Sequence, residues 1–196
     1  IMVVIACGAI AKEIVELKRL NGWEKLELVC LSASLHNTPR DIPQAVEQKI
    51  AKAKAEGKSV FVAYADCGTG GLLDKVLERH NVERLPGAHC YEFFATSQIF
   101  LEMMEQEPTT FFLTDFLVKS FDHLVIKGLG LDRYPELLTT YFGNYKRLVY
   151  LAQSRDDALI EKAKQAARQL RLEFEVRYTG FGDLETSLQL FAEGQS

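Results

Sequence analysis

Length, composition and charge restrict the classes of protein to which this chain can belong. Its 196 residues suffice for one substantial core, and 47% of them are hydrophobic and 26% charged, as in ordinary globular proteins. The formal net charge is -4 with scattered basic residues, which argues against nucleic acid or an anionic membrane as a partner. No apolar run is long enough to span a bilayer. We predict a single α/β domain over 1–196 that binds a small-molecule ligand.

Short apolar segments alternate with helical patterns along the whole chain. This alternation is typical of βαβ units with right-handed crossovers. It predicts an α/β fold with a doubly wound, largely parallel sheet and helices on both faces. Strands are predicted at 3–6, 26–31, 60–64, 82–85, 110–113, 147–152 and 172–178, and helices at 10–21, 43–56, 72–79, 89–107, 116–126, 136–142, 156–170 and 183–191.

The turn Asp66-Cys67-Gly68-Thr69-Gly70-Gly71 joins a predicted strand to a predicted helix, and it is the first candidate for a site. Ligands of open α/β sheets bind at such carboxyl ends of strands. Cys67 is therefore the candidate nucleophile and Asp66 its candidate base. Gly68, Thr69, Gly70 and Gly71 are candidates for binding an anion through their backbone N–H groups. The same glycines are equally consistent with a tight turn that only packs the strand against the helix.

Three of the four cysteines predict a metal centre. Cys7, Cys67 and Cys90 each fall at or just before a predicted helix start, and such turns can converge on one rim of a sheet. Three thiolates leave one position open on a tetrahedral zinc ion or on one iron of a four-iron cluster. His89 is a candidate fourth ligand or proton carrier. The hypothesis is an iron-sulfur cluster or zinc ion with a small molecule at the open position.

Other interpretations of the same residues remain open. The cysteines are also consistent with small core residues, and we interpret Cys30, inside an apolar strand, in that way. A second functional hypothesis is a metal-free enzyme in which Cys67 attacks the substrate, assisted by Asp66 or a histidine. A third is a non-catalytic accessory protein that binds an anionic ligand or a partner. His36 is the best of the remaining histidines for a site, and Asp115 is interpreted as a helix cap.

The cysteines also bear on the compartment in which the protein works. Val4-Ile5-Ala6-Cys7 resembles a lipoprotein cleavage box, but no basic segment precedes it and the apolar run is too short for a signal peptide. We therefore expect a cytoplasmic protein, whose thiols stay reduced. In that compartment cysteines more often bind metals or take part in catalysis than form disulfides.

Several motifs resemble those of a family catalogued only as a domain of unknown function, DUF1638. They include Tyr64-Ala65-Asp66-Cys67-Gly68-Thr69-Gly70-Gly71, His89-Cys90-Tyr91-Glu92-Phe93-Phe94 and Phe111-Phe112-Leu113-Thr114-Asp115-Phe116-Leu117. The resemblance extends over the full length of the chain and implies no particular activity. The placement of one cysteine in each of several α/β turns is also similar to quinolinate synthase. The three cysteines of that enzyme hold a four-iron cluster with one open coordination position. This second resemblance is an analogy of fold only.

Overall fold

The structure is a computed structural model that describes residues 1–89, 92, 94 and 97–194, without the side chains of 97–101. It divides into two compact units, one formed by Ile1–Phe93 with Asp183–Ser196 and the other by Phe94–Gly182. Each unit contains its own parallel sheet. The prediction that 1–196 form a single domain stays a prediction.

The helices and strands alternate along the chain, as predicted. The strands are β1 (Met2–Cys7), β2 (Leu26–Leu31), β3 (Ser59–Ala63), β4 (Glu83–Arg84), β5 (Thr110–Thr114), β6 (Arg147–Ala152) and β7 (Glu173–Tyr178). The α-helices are α1 (Ala11–Asn21), α2 (Ile42–Ala55), α3 (Leu72–His80), α4 (Ser97–Gln106), α5 (Asp115–Lys119), α6 (Leu137–Phe142), α7 (Asp157–Leu170) and α8 (Asp183–Gly194). Short 3-10 helices cover Gly8–Ile10, Ala33–Asn37 and Pro39–Asp41, and a π-helix covers Asp122–Lys127.

The first unit contains a four-stranded sheet in the order β2-β1-β3-β4, in which every pair is parallel. From β1 the chain crosses to β2 on one side of it. From β2 it returns past β1 to β3 on the other side. Right-handed crossovers therefore place α1 on one face and α2 and α3 on the opposite face. The connections that leave β1 and β3 diverge, which makes the carboxyl ends of these two neighbouring strands a topological switch point.

Local sequence signals explain the elements that surround this switch point. Ile14 and Leu17 of α1 are buried, and Gly22, in a left-handed conformation at φ 66°, ends the helix. Pro43 stands in the first turn of α2, where its missing N–H group costs nothing. The ring of Phe191 on α8 packs on Phe61 of β3, with ring centroids 5.3 Å apart.

The second unit contains a three-stranded parallel sheet in the order β5-β6-β7. Central strand β6 is buried from Leu148 to Ala152, and α7 packs on it through an apolar face that includes Leu159, Ala163 and Leu170. Strand β7 lies at the edge of this sheet, as its alternating sequence predicts.

These observations confirm the α/β fold with parallel strands and helices around them. The seven strands of the described residues are distributed over two sheets, whereas the sequence pattern predicts one. The interpretation of Cys30 as a core residue is wrong: its side chain is exposed, because β2 is an edge strand. Within the part of the chain that the structure describes, no helix combines the length and apolarity that a membrane crossing requires.

Candidate functional site

The candidate site lies at the switch point of the first unit. Cys7 is the last residue of β1, and Cys67 lies in the turn that follows the neighbouring strand β3. Each of the two residues is only 3% exposed. The structure thus brings two of the three predicted thiol ligands to the same end of one sheet, as the repeated strand-Cys-Gly pattern predicts.

The Cys7 thiol is protonated at neutral pH. Burial raises its pKa to about 11, and the nearby Cys67 and Cys30 thiols contribute in the same direction. Two hydrogen bonds of the sulfur partly oppose this rise. One comes from the Ala9 N–H group, whose nitrogen is 3.5 Å from Sγ, and the other is with Tyr64. A bare Cys7 is therefore a poor nucleophile, and its thiolate requires a compensating positive charge.

Cys67 occupies a strained backbone position. Its φ is 52°, in the left-handed region that side chains other than glycine rarely adopt. Its N–H group donates to the Ala88 carbonyl at 2.8 Å, and the Asp66 N–H group donates to the Gly87 carbonyl at 3.1 Å. These two bonds bind the segment that leads to His89 directly against the Asp66-Cys67 turn.

Asp66 organises the glycine turn. Its carboxylate accepts hydrogen bonds from the Thr69 hydroxyl at 2.6 Å, the Gly71 N–H group at 3.0 Å and the Gly70 N–H group at 3.1 Å. Gly70 and Gly71 have φ of 62° and 85°, and these left-handed conformations aim both N–H groups back at the carboxylate. An external anion would have to displace Asp66 to use these two donors.

The same hydrogen bonds make the stability of the turn depend on pH. Burial raises the pKa of Asp66, but hydrogen bonds from Thr69, Gly71 and Gly70, together with the Arg84 charge, outweigh it and hold this pKa below the ordinary value of 3.8. A carboxyl whose pKa is lowered in the folded state contributes stability above its unfolded pKa, and that contribution is lost as the pH falls through the folded value. Asp66 therefore stabilises the protein above about pH 4 and loses this effect in stronger acid.

We expect Asp66→Asn to weaken the pH dependence of stability in acid. The amide cannot be protonated in this range, so the part of the acid destabilisation that Asp66 causes disappears. Urea unfolding of the wild type and the variant at pH 7 and at pH 3 measures the change. The variant should be less stable at pH 7 and should approach the wild type at pH 3; a constant difference at both pH values would contradict the proposed role of the carboxylate.

Two imidazoles belong to the same neighbourhood. His89 is half-buried, and burial lowers its pKa, although Glu92 and Asp66 partly oppose the change. His36 lies in the 3-10 helix after β2; surrounding protein atoms lower its pKa, and repulsion from His89 adds to this. Both rings are neutral at pH 7, the form that binds metals and accepts protons.

Arg84 supports the segment that carries His89. Its guanidinium donates to both carboxylate oxygens of Asp74, at 2.6 Å and 3.2 Å. The remaining donors reach the carbonyls of Leu85 at 2.6 Å and Gly87 at 3.2 Å. Arg84 thereby connects α3, β4 and the Leu85–Gly87 backbone in one network, and Asp66 and Cys67 lie within reach of its charge.

The remaining predicted site residues belong to the second unit or fall outside the described residues. Cys90 falls outside them, so its predicted role as a ligand stays a prediction. Among the residues that the structure does describe, no three His, Cys, Asp or Glu side chains are arranged to hold a metal ion. Asp115 belongs to the second unit, where Thr114 rather than Asp115 caps α5 by accepting a bond from the Leu117 N–H group.

Sequence reasoning missed two members of the group. Tyr64, which is 2% exposed, hydrogen-bonds Cys7. The signal that points to it is a phenol directly after the buried apolar run of β3. Arg84 gives no comparable signal, because an arginine beside a turn is common on protein surfaces. Only the structure shows that its donors converge on the Leu85–Gly87 carbonyls.

Comparison with known proteins identifies the family of the chain. The model of the family described as "Protein of unknown function (DUF1638)" matches residues 30–188 of the 196. The match covers most of the chain, so the chain belongs to this family and the resemblance found in its motifs is confirmed. A search of curated proteins finds no match.

Proposed function

We propose that this member of the family binds a zinc ion or an iron-sulfur cluster through the thiolates of Cys7 and Cys67. Cys90 supplies the third thiolate in this proposal, and a small molecule occupies the fourth coordination position. His89 is the candidate proton carrier beside it, or the fourth ligand when the small molecule is absent. The observation that carries the proposal is the placement of two buried thiols at the carboxyl ends of adjacent parallel strands, at a topological switch point.

The chemistry of the described donors supports a soft metal. Thiolate and imidazole together suit zinc and iron-sulfur centres, whereas calcium and magnesium prefer oxygen ligands. The raised pKa of Cys7 fits the same explanation, because a bound cation replaces the thiol proton and stabilises the buried thiolate. His89 need not lose a proton before it binds a metal ion, because its partial burial lowers its pKa.

The proposal requires a ligand from the segment that follows Ala88. Two thiolates do not fill a tetrahedral site, and the described residues contain no complete set of three ligands. The backbone bond from Cys67 to Ala88 attaches this segment to the thiol-bearing turn, two residues before Cys90. The next residue, His89, already lies within electrostatic reach of Asp66.

Metal content tests the proposal. Protein purified without oxygen and reconstituted either with zinc or with iron and sulfide should retain close to one zinc ion or one cluster per chain after gel filtration, and the cluster should give broad visible absorption. Elemental analysis and the absorption spectrum measure both outcomes. Retention of neither metal after anaerobic reconstitution would contradict the proposal.

A second candidate function is a metal-free enzyme with Cys67 as nucleophile. The observation that favours it is the left-handed backbone of Cys67 in a turn between a strand and a helix, since strained turns of this type present nucleophiles in other α/β enzymes. In that case the wild type should lack metal, and Cys67→Ser should remove the labelling by iodoacetamide that persists at acid pH. Labelling that Cys67→Ser leaves unchanged would eliminate this candidate.

The proposed setting is a reducing cytoplasm with neither nucleic acid nor membrane as a partner. Cys7 and Cys30 are free thiols, which suits such a compartment. The net charge of -4 supports a small-molecule ligand over a nucleic acid.

A further inference from the structure

Strand β7 ends the second sheet, and no strand among the described residues pairs with its outer edge. Backbone bonds from Glu173 N–H to the Lys146 carbonyl, at 3.0 Å, and from Thr179 N–H to the Ala152 carbonyl, at 2.8 Å, fix which residues of β7 face β6. Since backbone groups alternate in direction along a strand, Phe174, Val176 and Tyr178 direct their N–H and C=O groups to the outer edge. The side chains of Val176 and Tyr178 are 39% and 54% exposed.

The sequence of this edge is complementary to itself. When two copies of β7 run antiparallel with Val176 opposite Val176, Glu175 of each copy lies opposite Arg177 of the other. Phe174 then lies opposite Tyr178. The register therefore places two opposite-charge pairs and two aromatic pairs across the twofold axis, combinations that stabilise neighbouring strands.

The backbone geometry suits the same register. Phe174, Val176 and Tyr178 fall at the hydrogen-bonded positions of an antiparallel pair, so their outward groups all find partners in the other copy. Glu175 and Arg177 fall at the non-hydrogen-bonded positions, where opposite side chains approach most closely. Within one chain, Arg177 already donates to Glu175 at 2.8 Å, so both charged groups are held together on this strand.

We propose that β7 pairs antiparallel with β7 of a second copy of this chain, in the register that places Val176 opposite Val176. The contact is isologous and joins two three-stranded sheets into one continuous sheet. The charges favour this register over a shift of two residues, which would place Glu175 opposite Glu175 or Arg177 opposite Arg177. A single strand pair buries less surface than a permanent dimer needs, so the dimer should be weak and depend on concentration.

Sedimentation velocity of the full chain tests the pairing. A reducing agent must be present, because the exposed Cys30 would otherwise form disulfide-linked dimers. Between about 10 μM and about 1 mM, the wild type should shift from the mass of one chain, 22.1 kDa, towards twice that mass. A chain that stays monomeric over this range overturns the proposal.

Substitutions on β7 distinguish this edge from any other surface. Val176→Pro removes an N–H group that faces outward and none that bonds β6, so it should weaken the dimer at least about tenfold while the chain remains folded. Arg177→Glu and Glu175→Lys should each weaken the homodimer by a similar factor, because each brings like charges together. A dimer that tolerates Val176→Pro or Arg177→Glu uses a different surface and overturns the proposal.

Mixing the two charge variants tests the register. In an Arg177→Glu chain paired with a Glu175→Lys chain, both cross-strand pairs again have opposite charges. The mixture should therefore form heterodimers more tightly than either variant forms homodimers. Urea unfolding of each variant verifies that it is folded, since Glu175→Lys also removes an ion pair with Arg147 of 2.7 Å. A mixture that stays monomeric overturns the register.

Discussion

Replacing Cys67 by serine should reduce the affinity for the bound metal at least about a hundredfold, and replacing Cys7 by serine should do the same. Loss of an outer-shell partner alone costs about 10- to 100-fold in metal affinity, and loss of a ligand exceeds this. Metal content per chain after anaerobic reconstitution, followed by competition with a chelator of known affinity, measures the effect. Cys90→Ser should have a similar effect if the third ligand is Cys90.

Cys30→Ser is the matched control for these variants. Cys30 carries the same side chain in the same unit, but it lies exposed on edge strand β2, and the proposal gives it no ligand role. The variant should retain the metal content and the unfolding midpoint of the wild type. If Cys30→Ser and Cys67→Ser lose equal amounts of metal, removal of any thiol has this effect, and the metal loss does not identify Cys67 as a ligand.

The second large effect is expected at Asp115, in the second unit. Its carboxylate is 4% exposed and accepts bonds from the Tyr150 hydroxyl, the Gln153 N–H group and the Ser154 N–H and hydroxyl groups. Asp115→Asn places an NH2 group against these donors and leaves buried donors without an acceptor. Each such donor costs about 1–3 kcal/mol, so the variant should lose about 3 kcal/mol or more in its free energy of unfolding.

Asp156→Asn is the control for that prediction, because it makes the same change at an exposed helix start. Asp156 accepts the Ala158 N–H group at 2.9 Å as the cap of α7, and asparagine caps helices about as well as aspartate. Urea unfolding should therefore find Asp156→Asn close to the wild type. If Asp115→Asn is equally mild, the network joining the ends of β5 and β6 contributes little to the stability of the fold.

The strands and helices were predictable from sequence because their signals are local. The apolar run of β6 at Arg147–Ala152, the early proline of α2 and the glycine after α1 each act within a few residues. The division of the strands into two sheets was not predictable in this way, because periodicity does not specify which strands pair. The same limitation explains the wrong interpretation of Cys30, whose apolar neighbours suggest a core strand although β2 has a partner on one side only.

The candidate site was predictable to the extent that topology determines it. Cys7 ends β1 and Cys67 follows β3, and these two strands pair in parallel, so a correct βαβ pattern already places both cysteines at one end of the sheet. The hydrogen bonds of the glycine turn were not predictable, because the sequence does not show that the Asp66 carboxylate accepts bonds from the Gly70 and Gly71 N–H groups. The convergence of Arg84 on carbonyls beside the site depends on tertiary contacts in the same way.

X-ray absorption at the metal edge of anaerobically loaded protein determines whether sulfur atoms bind the metal. If Cys7 and Cys67 are ligands, sulfur scatterers should lie at about 2.3 Å from zinc, with fewer sulfur neighbours in Cys67→Ser and in Cys7→Ser and an unchanged number in Cys30→Ser. A metal shell made only of oxygen and nitrogen, or a sulfur shell that survives both Cys7→Ser and Cys67→Ser, would contradict the proposed metal site.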